Sequence, residues 1–456
     1  MREPRCYRIV KSKNLWEIAI EFLGKIDTKL MDNNLKQAYI TYRICKLRAI
    51  PYDIFSKLVF LSCFNEVGKF YGDQKSDEQI ETYLFLKYFS PVKNHADAYM
   101  SDIKGHKMSI ASEEAVIFKA CKDYTKLLAK TDDKYQAFAQ LKENIELYDQ
   151  KTIKALEKLV NKVDLIYEFN SFHYKTVVYK YISRTIFSPK DKNKFITMLS
   201  SLFEMYSAQT LYHSKLTAIV SYMLAKYMKI KHRRAKRIYM AGLCHDLGKV
   251  CIPLKILEKP DKLTDREYTI MKKHVTFTKD ILDQKMDYEI VEMAYRHHEK
   301  LDGSGYPNKL KGKYLTIDQR ILQVADIISA LIAKRSYKEA WDINKTISIL
   351  DDMANNDKID KKVVDCFKSK QNKILKATAK FTEQADKIYE KIDKERENLI
   401  KQKGITVKKV EPKAPKVKEA KEKENVENKE AIVQEVKENT VEENKENKII
   451  EEKNEA

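Results

Sequence analysis

Apolar positions spaced by three and four mark several stretches of this chain as amphipathic helices. Leu216, Ile219, Val220, Met223, Leu224 and Tyr227 form one stripe, and Ile321–Ile332 is a second apolar run. The third lies within Val363–Lys403, where Val364, Phe367, Ile374, Leu375, Phe381, Ala385, Ile388, Tyr389 and Ile392 keep the same spacing. Such a period lines apolar side chains along one face of a 3.6-residue helix and predicts packing of that face on a core. Pro260-Asp261-Lys262 followed by Thr264-x-x-Glu267 predicts a turn and a capped helix start, with His274 on the helix it opens. Only 10 Gly and 9 Pro interrupt 456 residues, so the expected fold class is all-α.

The helical pattern repeats itself. Displaced by 180 residues, Asn33–Lys69 aligns without a gap on His213–Lys249. Ala38, Tyr42, Lys46, Ile50, Gly68 and Lys69 coincide with Ala218, Tyr222, Lys226, Ile230, Gly248 and Lys249. The polar residues differ: Asn33 stands against His213, and Asn65-Glu66 against His245-Asp246. Residues 1–195 are therefore expected to form a helical domain that is a degenerate copy of the one beginning near 203, without its polar ligands. Two unrelated helix pairs matching by chance are the alternative.

Composition changes the picture at the C-terminal end. From Gly404 to Ala456 there are 12 Lys and 14 Glu and no aromatic residue, a stretch too poor in apolar surface to offset its ordering entropy, so 404–456 is expected to be disordered. Its charge of −2 leaves about +22 of the total +20 to the rest. Lysines spread through every segment read as a solvated surface, and no nucleic-acid polymer is expected as a partner. The seven cysteines are scattered without C-x-x-C spacing, which suits reduced thiols in a cytoplasmic protein. No stretch approaches the roughly 18–20 apolar residues that span a bilayer, so no membrane partner is expected.

Metal-ligand residue types gather between Gln209 and Asp326, and five of the nine histidines are among them. His213 heads the first apolar stripe, and His245 and Asp246 are adjacent before Gly248-Lys249. His274 follows the capping box, and His297-His298-Glu299 leads into Asp302-Gly303-Ser304-Gly305-Tyr306-Pro307. Asp326 lies inside an apolar helix, where a carboxylate is costly unless paired or metal-bound. Each of the single histidines would, alone, read as a core or surface residue; the paired histidines with the Gly-rich turn are far more specific.

Together, H…HD…H…HH…D with H-H-E-x-x-D-G-x-G-Y-P resembles the HD-GYP family of the HD phosphohydrolase superfamily, over about Phe203 to Lys370. The resemblance implies a helical HD-GYP domain at 203–370 with His213, His245, Asp246, His274, His297, His298 and Asp326 as metal ligands. It implies iron or manganese as cofactor and cyclic di-GMP as substrate, hydrolysed to linear pGpG or GMP. Asp246 and Lys249 take catalytic roles in it, and Tyr306, Arg335 and Lys338 bind substrate. Gln209 stands where three-metal members carry a glutamate, so two divalent ions are expected. Val275, Thr278, Ser329 and Ser336 also depart from the family pattern. In this scheme 1–195 is a degenerate HD-like domain, the place for a homodimer or signalling contact, and 371–403 is a long helical extension. A cyclic dinucleotide sensor with little turnover, and an HD hydrolase of another phosphate ester, are the competing readings.

Overall fold

The computed structural model describes residues 4, 10–70, 77–92, 96, 112–184, 189–206, 212–332 and 343–404. Among these the regular structure is helical throughout, with no strand. Gln209, Arg335, Lys338 and the segment 405–456 lie outside the described residues.

The first half contains α1 (Ser12–Ile26), α2 (Thr28–Leu47), α3 (Tyr52–Cys63), α4 (Glu78–Phe89), α5 (Glu113–Thr131), α6 (Lys134–Lys142), α7 (Gln150–Lys162), α8 (Leu165–Asn170), α9 (His173–Arg184) and α10 (Pro189–Tyr206). Short acidic or hydroxyl side chains start many of them. Asp27 accepts from Leu30 N, Asp77 from Gln79 N and Ile80 N, Ser112 from Ala115 N, and Asp149 from Thr152 N, which satisfies amides that a first turn leaves unpaired.

The second half contains α11 (His213–Tyr227), α12 (His232–Cys244), α13 (Leu254–Leu257), α14 (Asp265–Lys272), α15 (His274–Leu282), α16 (Tyr288–Tyr295), α17 (Ile317–Ile332), α18 (Ile343–Asn355) and α19 (Lys361–Gln402). The capping box at Thr264 and Glu267 is present. The helix it opens, however, ends at Lys272, and His274 begins a separate helix. The break has a local cause: the Met271 carbonyl accepts from Lys273 N and from His274 Nδ1 at 2.7 Å, so the imidazole takes part in closing the turn.

Two features relate the halves. The first is a shared core, in which Trp16 packs edge to face on Phe60 and Phe195, Phe64 stacks on Phe60, and α1 lies against the turn that follows α12. Asn14 Nδ2 donates to Lys285 O at 2.5 Å, and Lys285 pairs with Glu21 at 2.7 Å. The second is α19, 42 residues long and so about 63 Å from end to end. It begins at Asp360, which caps it, buries Val363, Val364 and Phe367 among the second-half helices, and ends on α4 of the first half. There Arg396 clamps Glu81 at 2.6 and 3.1 Å, Tyr88 donates to Glu395 at 2.9 Å, and Lys403 donates to Asp77 at 2.7 Å. Thr378, Ala385, Ile392 and Leu399 are buried at seven-residue intervals, the narrow seam of a helix laid along others. Helix α10 runs through 195–203 and α19 through 370, so the sequence divisions at those points fall within helices.

One helical joint occurs twice. After α2, Arg48 N bonds Ile44 O, Ile50 N bonds Cys45 O at 3.0 Å, and Ala49 takes a left-handed φ of 53°. After α11, Met228 N bonds Leu224 O, Ile230 N bonds Ala225 O at 2.9 Å, and Lys229 takes a φ of 59°. Each following helix, α3 or α12, leads to a short 3-10 turn, Val67–Phe70 or Leu247–Cys251. Gly68 N donates to Thr82 Oγ1 at 2.9 Å, and Gly248 N to Thr278 Oγ1 at 2.8 Å. A Cβ on Gly68 would lie 2.2 Å from Glu78 O, and one on Gly248 2.0 Å from His274 O. Thus α4 crosses the first turn as closely as α15 crosses the second, and only glycine permits either crossing.

Candidate metal centre

Five elements deliver side chains to one buried spot. His213 is the first residue of α11, His245 and Asp246 close α12, His274 opens α15, His297 and His298 follow α16, and Asp326 lies within α17. Asp246 is 1% exposed and its two oxygens face different sets of imidazoles. Oδ2 lies 3.3 Å from His245 Nε2 and 3.6 Å from His213 Nε2, while Oδ1 lies 3.5 Å from His274 Nε2 and 3.9 Å from His297 Nε2. Asp326 Oδ1 adds contacts of 3.0 Å to His213 Nε2 and 3.3 Å to His245 Nε2. Ligand atoms of His274, His297 and His298 gather within 4.8 Å of one another, as do those of His213, His245 and Asp246 and those of His245, His297 and Asp326.

The inward atoms are left without hydrogen bonds. His245 Nε2, His274 Nε2, His297 Nε2 and Asp246 Oδ1 are buried and unpaired, a costly arrangement for a fold unless a cation takes their lone pairs. Their outer nitrogens are satisfied: Nδ1 of His245, His274 and His297 meets the carbonyls of Gly242, Met271 and Ala294, three residues back, at 2.9, 2.7 and 2.7 Å. That partner fixes the tautomer with Nε2 free to bind, the usual outer-shell arrangement of a metal-ligating histidine. The residues fit a site for divalent metal.

The electrostatics are those of a site built for positive charge. Burial pushes His274 down to about 4 and His297 down to about 3, and holds His298 well below the usual range. These imidazoles are neutral donors. Burial acts to lower His245 too, but the Asp246 and Asp326 carboxylates outweigh it and push it up to about 10. Burial would raise Asp246, yet His245 and Lys249 hold it well below the carboxylate range; Asp326 is held down in the same way by His213 and His245. A divalent cation held by these residues would supply the positive charge that the His245 proton otherwise provides.

Around the centre, Lys249 Nζ donates to Asp246 Oδ2 at 2.8 Å. Tyr306 stacks on His298 with centroids 4.7 Å apart. Three residues left without a role by sequence reasoning support the site. Glu299, fully buried, accepts from Asn308 N at 2.6 Å and Leu310 N at 2.8 Å and so folds the loop that carries Tyr306. Thr278 accepts from Gly248 and donates to His245 O at 3.0 Å, tying α15 to the His-Asp corner. Ser329 Oγ lies 3.4 Å from His213 Nδ1. Thr278 and Ser329 were visible in the sequence only as departures from the family pattern, whereas the signal for Glu299 was its place directly after the paired histidines.

The model of the HD domain family matches residues 197–363. The 3'3'-cGAMP-specific phosphodiesterase 1 of Vibrio cholerae is 30% identical over 224 residues, covering 48% of this chain and 52% of that protein. The cyclic di-GMP phosphodiesterase response regulator RpfG of Xanthomonas campestris is 37% identical over 134 residues, 29% of this chain and 35% of that protein. The chain thus spans about a third to a half of the length of these curated relatives. The crystal structure of a cyclic GMP-AMP specific phosphodiesterase of V. cholerae superposes with a TM-score of 0.50 at 15% identity, over 80% of this chain and 98% of that one, a likeness of fold that extends beyond 197–363. Residues 197–363 thus match the HD domain family model, and the histidine and aspartate pattern above resembles that of its HD-GYP form.

Proposed function

We propose that the 203–370 region is a metal-dependent phosphodiesterase acting on a cyclic dinucleotide, with cyclic di-GMP as substrate and linear pGpG or GMP as product. The observation that carries this is Asp246, whose two oxygens face two separate imidazole groups across a pocket of unpaired buried nitrogens. Two divalent ions are the proposed cofactor, held by His213, His245, Asp246, His274, His297, His298 and Asp326. Imidazole and carboxylate donors suit iron or manganese better than magnesium. When bound, such ions supply Lewis acidity toward water and phosphoryl oxygen.

The chain's own groups do the rest. Asp246 fixes the spacing of the two ligand sets. Lys249 presents an ammonium within 2.8 Å of Asp246, close enough to donate to a phosphate oxygen or to the leaving 3′-oxygen. Tyr306, seated against His298, offers an aromatic face at the rim. Arg335 and Lys338 are assigned to the substrate phosphates or bases by family resemblance. The first half, 1–195, is proposed to be the degenerate copy.

Relatives named for 3'3'-cGAMP support a second reading, in which the mixed dinucleotide is the substrate. Both are tested on the purified full chain by elemental analysis and by product chromatography with cyclic di-GMP, 3'3'-cGAMP and cyclic di-AMP. About two transition-metal ions per chain and hydrolysis of cyclic di-GMP ahead of the others are expected. Faster cleavage of 3'3'-cGAMP would favour the second reading, and no cleavage of any in the metal-loaded protein would overturn both.

A further inference from the structure

His213 differs from the other ligand histidines in how it is held. His245, His274 and His297 each rest Nδ1 on a carbonyl three residues earlier. His213 opens its helix, and the contact of its Nδ1 is Ser329 Oγ at a long 3.4 Å. Its Nε2 faces Asp326 Oδ1 at 3.0 Å, and the backbone that brings it there turns at the residue before it.

That residue, Tyr212, has a left-handed backbone, φ 68° and ψ −12°, an unfavourable conformation for a bulky side chain that surrounding contacts must hold. The contacts come from α19. The Tyr212 ring lies edge-on to Phe381 at 6.0 Å and to Tyr389 at 5.8 Å, and with Leu216 and Ala385 it forms a small apolar cluster apart from the main core. At the far edge its hydroxyl donates to Asp386 Oδ1 at 2.9 Å. Ten residues on, about 15 Å along the same helix, Arg396 is clamped to the buried Glu81 of α4.

We infer that Tyr212 and Asp386 are positioning residues, a latch through which α19 sets the orientation of His213 at the metal centre. The inference rests on the proposed metal site and adds to it a component outside the ligand set. Because the anchor of α19 lies on the first half, the latch also gives that half a mechanical hold on one ligand of the centre.

The test uses the full chain and manganese as probe. Affinity is measured by chelator competition for wild type, Tyr212→Phe, Asp386→Ala and Asp386→Asn, and the visible bands of the cobalt-substituted proteins are recorded. Tyr212→Phe keeps the ring packing and removes only the hydroxyl. Manganese binding is expected to weaken about tenfold in Tyr212→Phe and Asp386→Ala, the scale of losing a support behind a ligand, with shifted cobalt bands. Their kcat should fall with KM little changed. Asp386→Asn, whose amide oxygen still accepts, should return both affinity and spectrum toward wild type. Wild-type affinity and cobalt bands in Tyr212→Phe and Asp386→Ala, or an Asn variant as weak as the Ala variant, would overturn the latch. A wild-type protein that takes up no manganese or cobalt would instead remove the metal site beneath it.

Discussion

The joint at Asn33–Phe70 and the joint at His213–Val250 share their helix exit, their 3-10 turn and their glycine crossing, but they treat the acid at the turn in opposite ways, Glu66 being half-buried and Asp246 fully buried. In the first, Glu66 is met by two ammonium groups, Lys69 at 2.6 Å and Lys126 at 3.0 Å. Of the neighbouring amides, Asn65 Nδ2 donates to Gln37 Oε1 at 2.8 Å and Asn34 Nδ2 to Asn65 O at 2.6 Å, while Asn65 Oδ1 and Gln37 Nε2 are left unpaired. In the second, Asp246 has one lysine and a ring of imidazoles, three of which, His245, His274 and His297, leave Nε2 without a hydrogen bond. Backbone geometry alone therefore does not make a metal centre. What distinguishes the candidate centre is a gathered set of imidazole and carboxylate lone pairs that the rest of the fold leaves unsatisfied. In the first joint, side-chain cations already supply the charge that a metal would bring.

The largest effect expected from this contrast is on turnover. Asp246→Ala should lower it by three orders of magnitude or more, since metal-assisted charge stabilisation of several kcal/mol depends on that carboxylate, whereas Glu66→Ala should leave it within about twofold. Steady-state assays of both variants, with metal content alongside, check this. A Glu66→Ala protein that loses bound metal would break the contrast.

Next comes the shared crossing. Gly68→Ala and Gly248→Ala each push a Cβ into a backbone carbonyl, and each should destabilise by about 1–3 kcal/mol or more, seen as a lowered midpoint in denaturant. Gly68→Ala should keep its metal. If either is neutral, the two helices do not cross as closely as described.

The smallest effect is one of pH. Burial raises the Glu66 carboxyl, but Lys69 and Lys126 outweigh it and hold it below the usual range. A carboxyl lowered on folding contributes stability above its unfolded pKa, about 4.3, and loses that contribution as pH falls through the folded value. The stability gap between wild type and Glu66→Gln should be widest near neutrality and close on acidification, as denaturation series at several pH values would show.

Much of this was legible in the sequence because ligand residues in apolar helices are conspicuous. His245-Asp246 and Asp326 stand out from the buried residues around them, and the structure brings all seven proposed ligand residues to one spot. The stripe from Val364 to Ile392 gave α19 for the same reason of period. The break at Lys273 was hidden, because it depends on the His274 ring taking a backbone carbonyl, which no spacing rule encodes. Thr278 and Ser329 looked like losses until their hydroxyls could be seen bonding across helices. The hold of Arg396 on Glu81 joins residues 315 apart, far beyond the reach of local pattern.

That separation sets a schedule for the nascent chain. Glu81 is 2% exposed in the finished fold, and its guanidinium partner is made 315 residues later. At a synthesis rate of roughly 5–20 residues per second, α4 waits about 15–60 s for the helix that covers it. Until then its docking face and its acid are open to water and to other chains. The protein's first half is thus completed by a helix that leaves the ribosome 315 residues after Glu81, and a chain stopped short of Arg396 would carry the proposed metal ligands while lacking the clamp that joins the two halves.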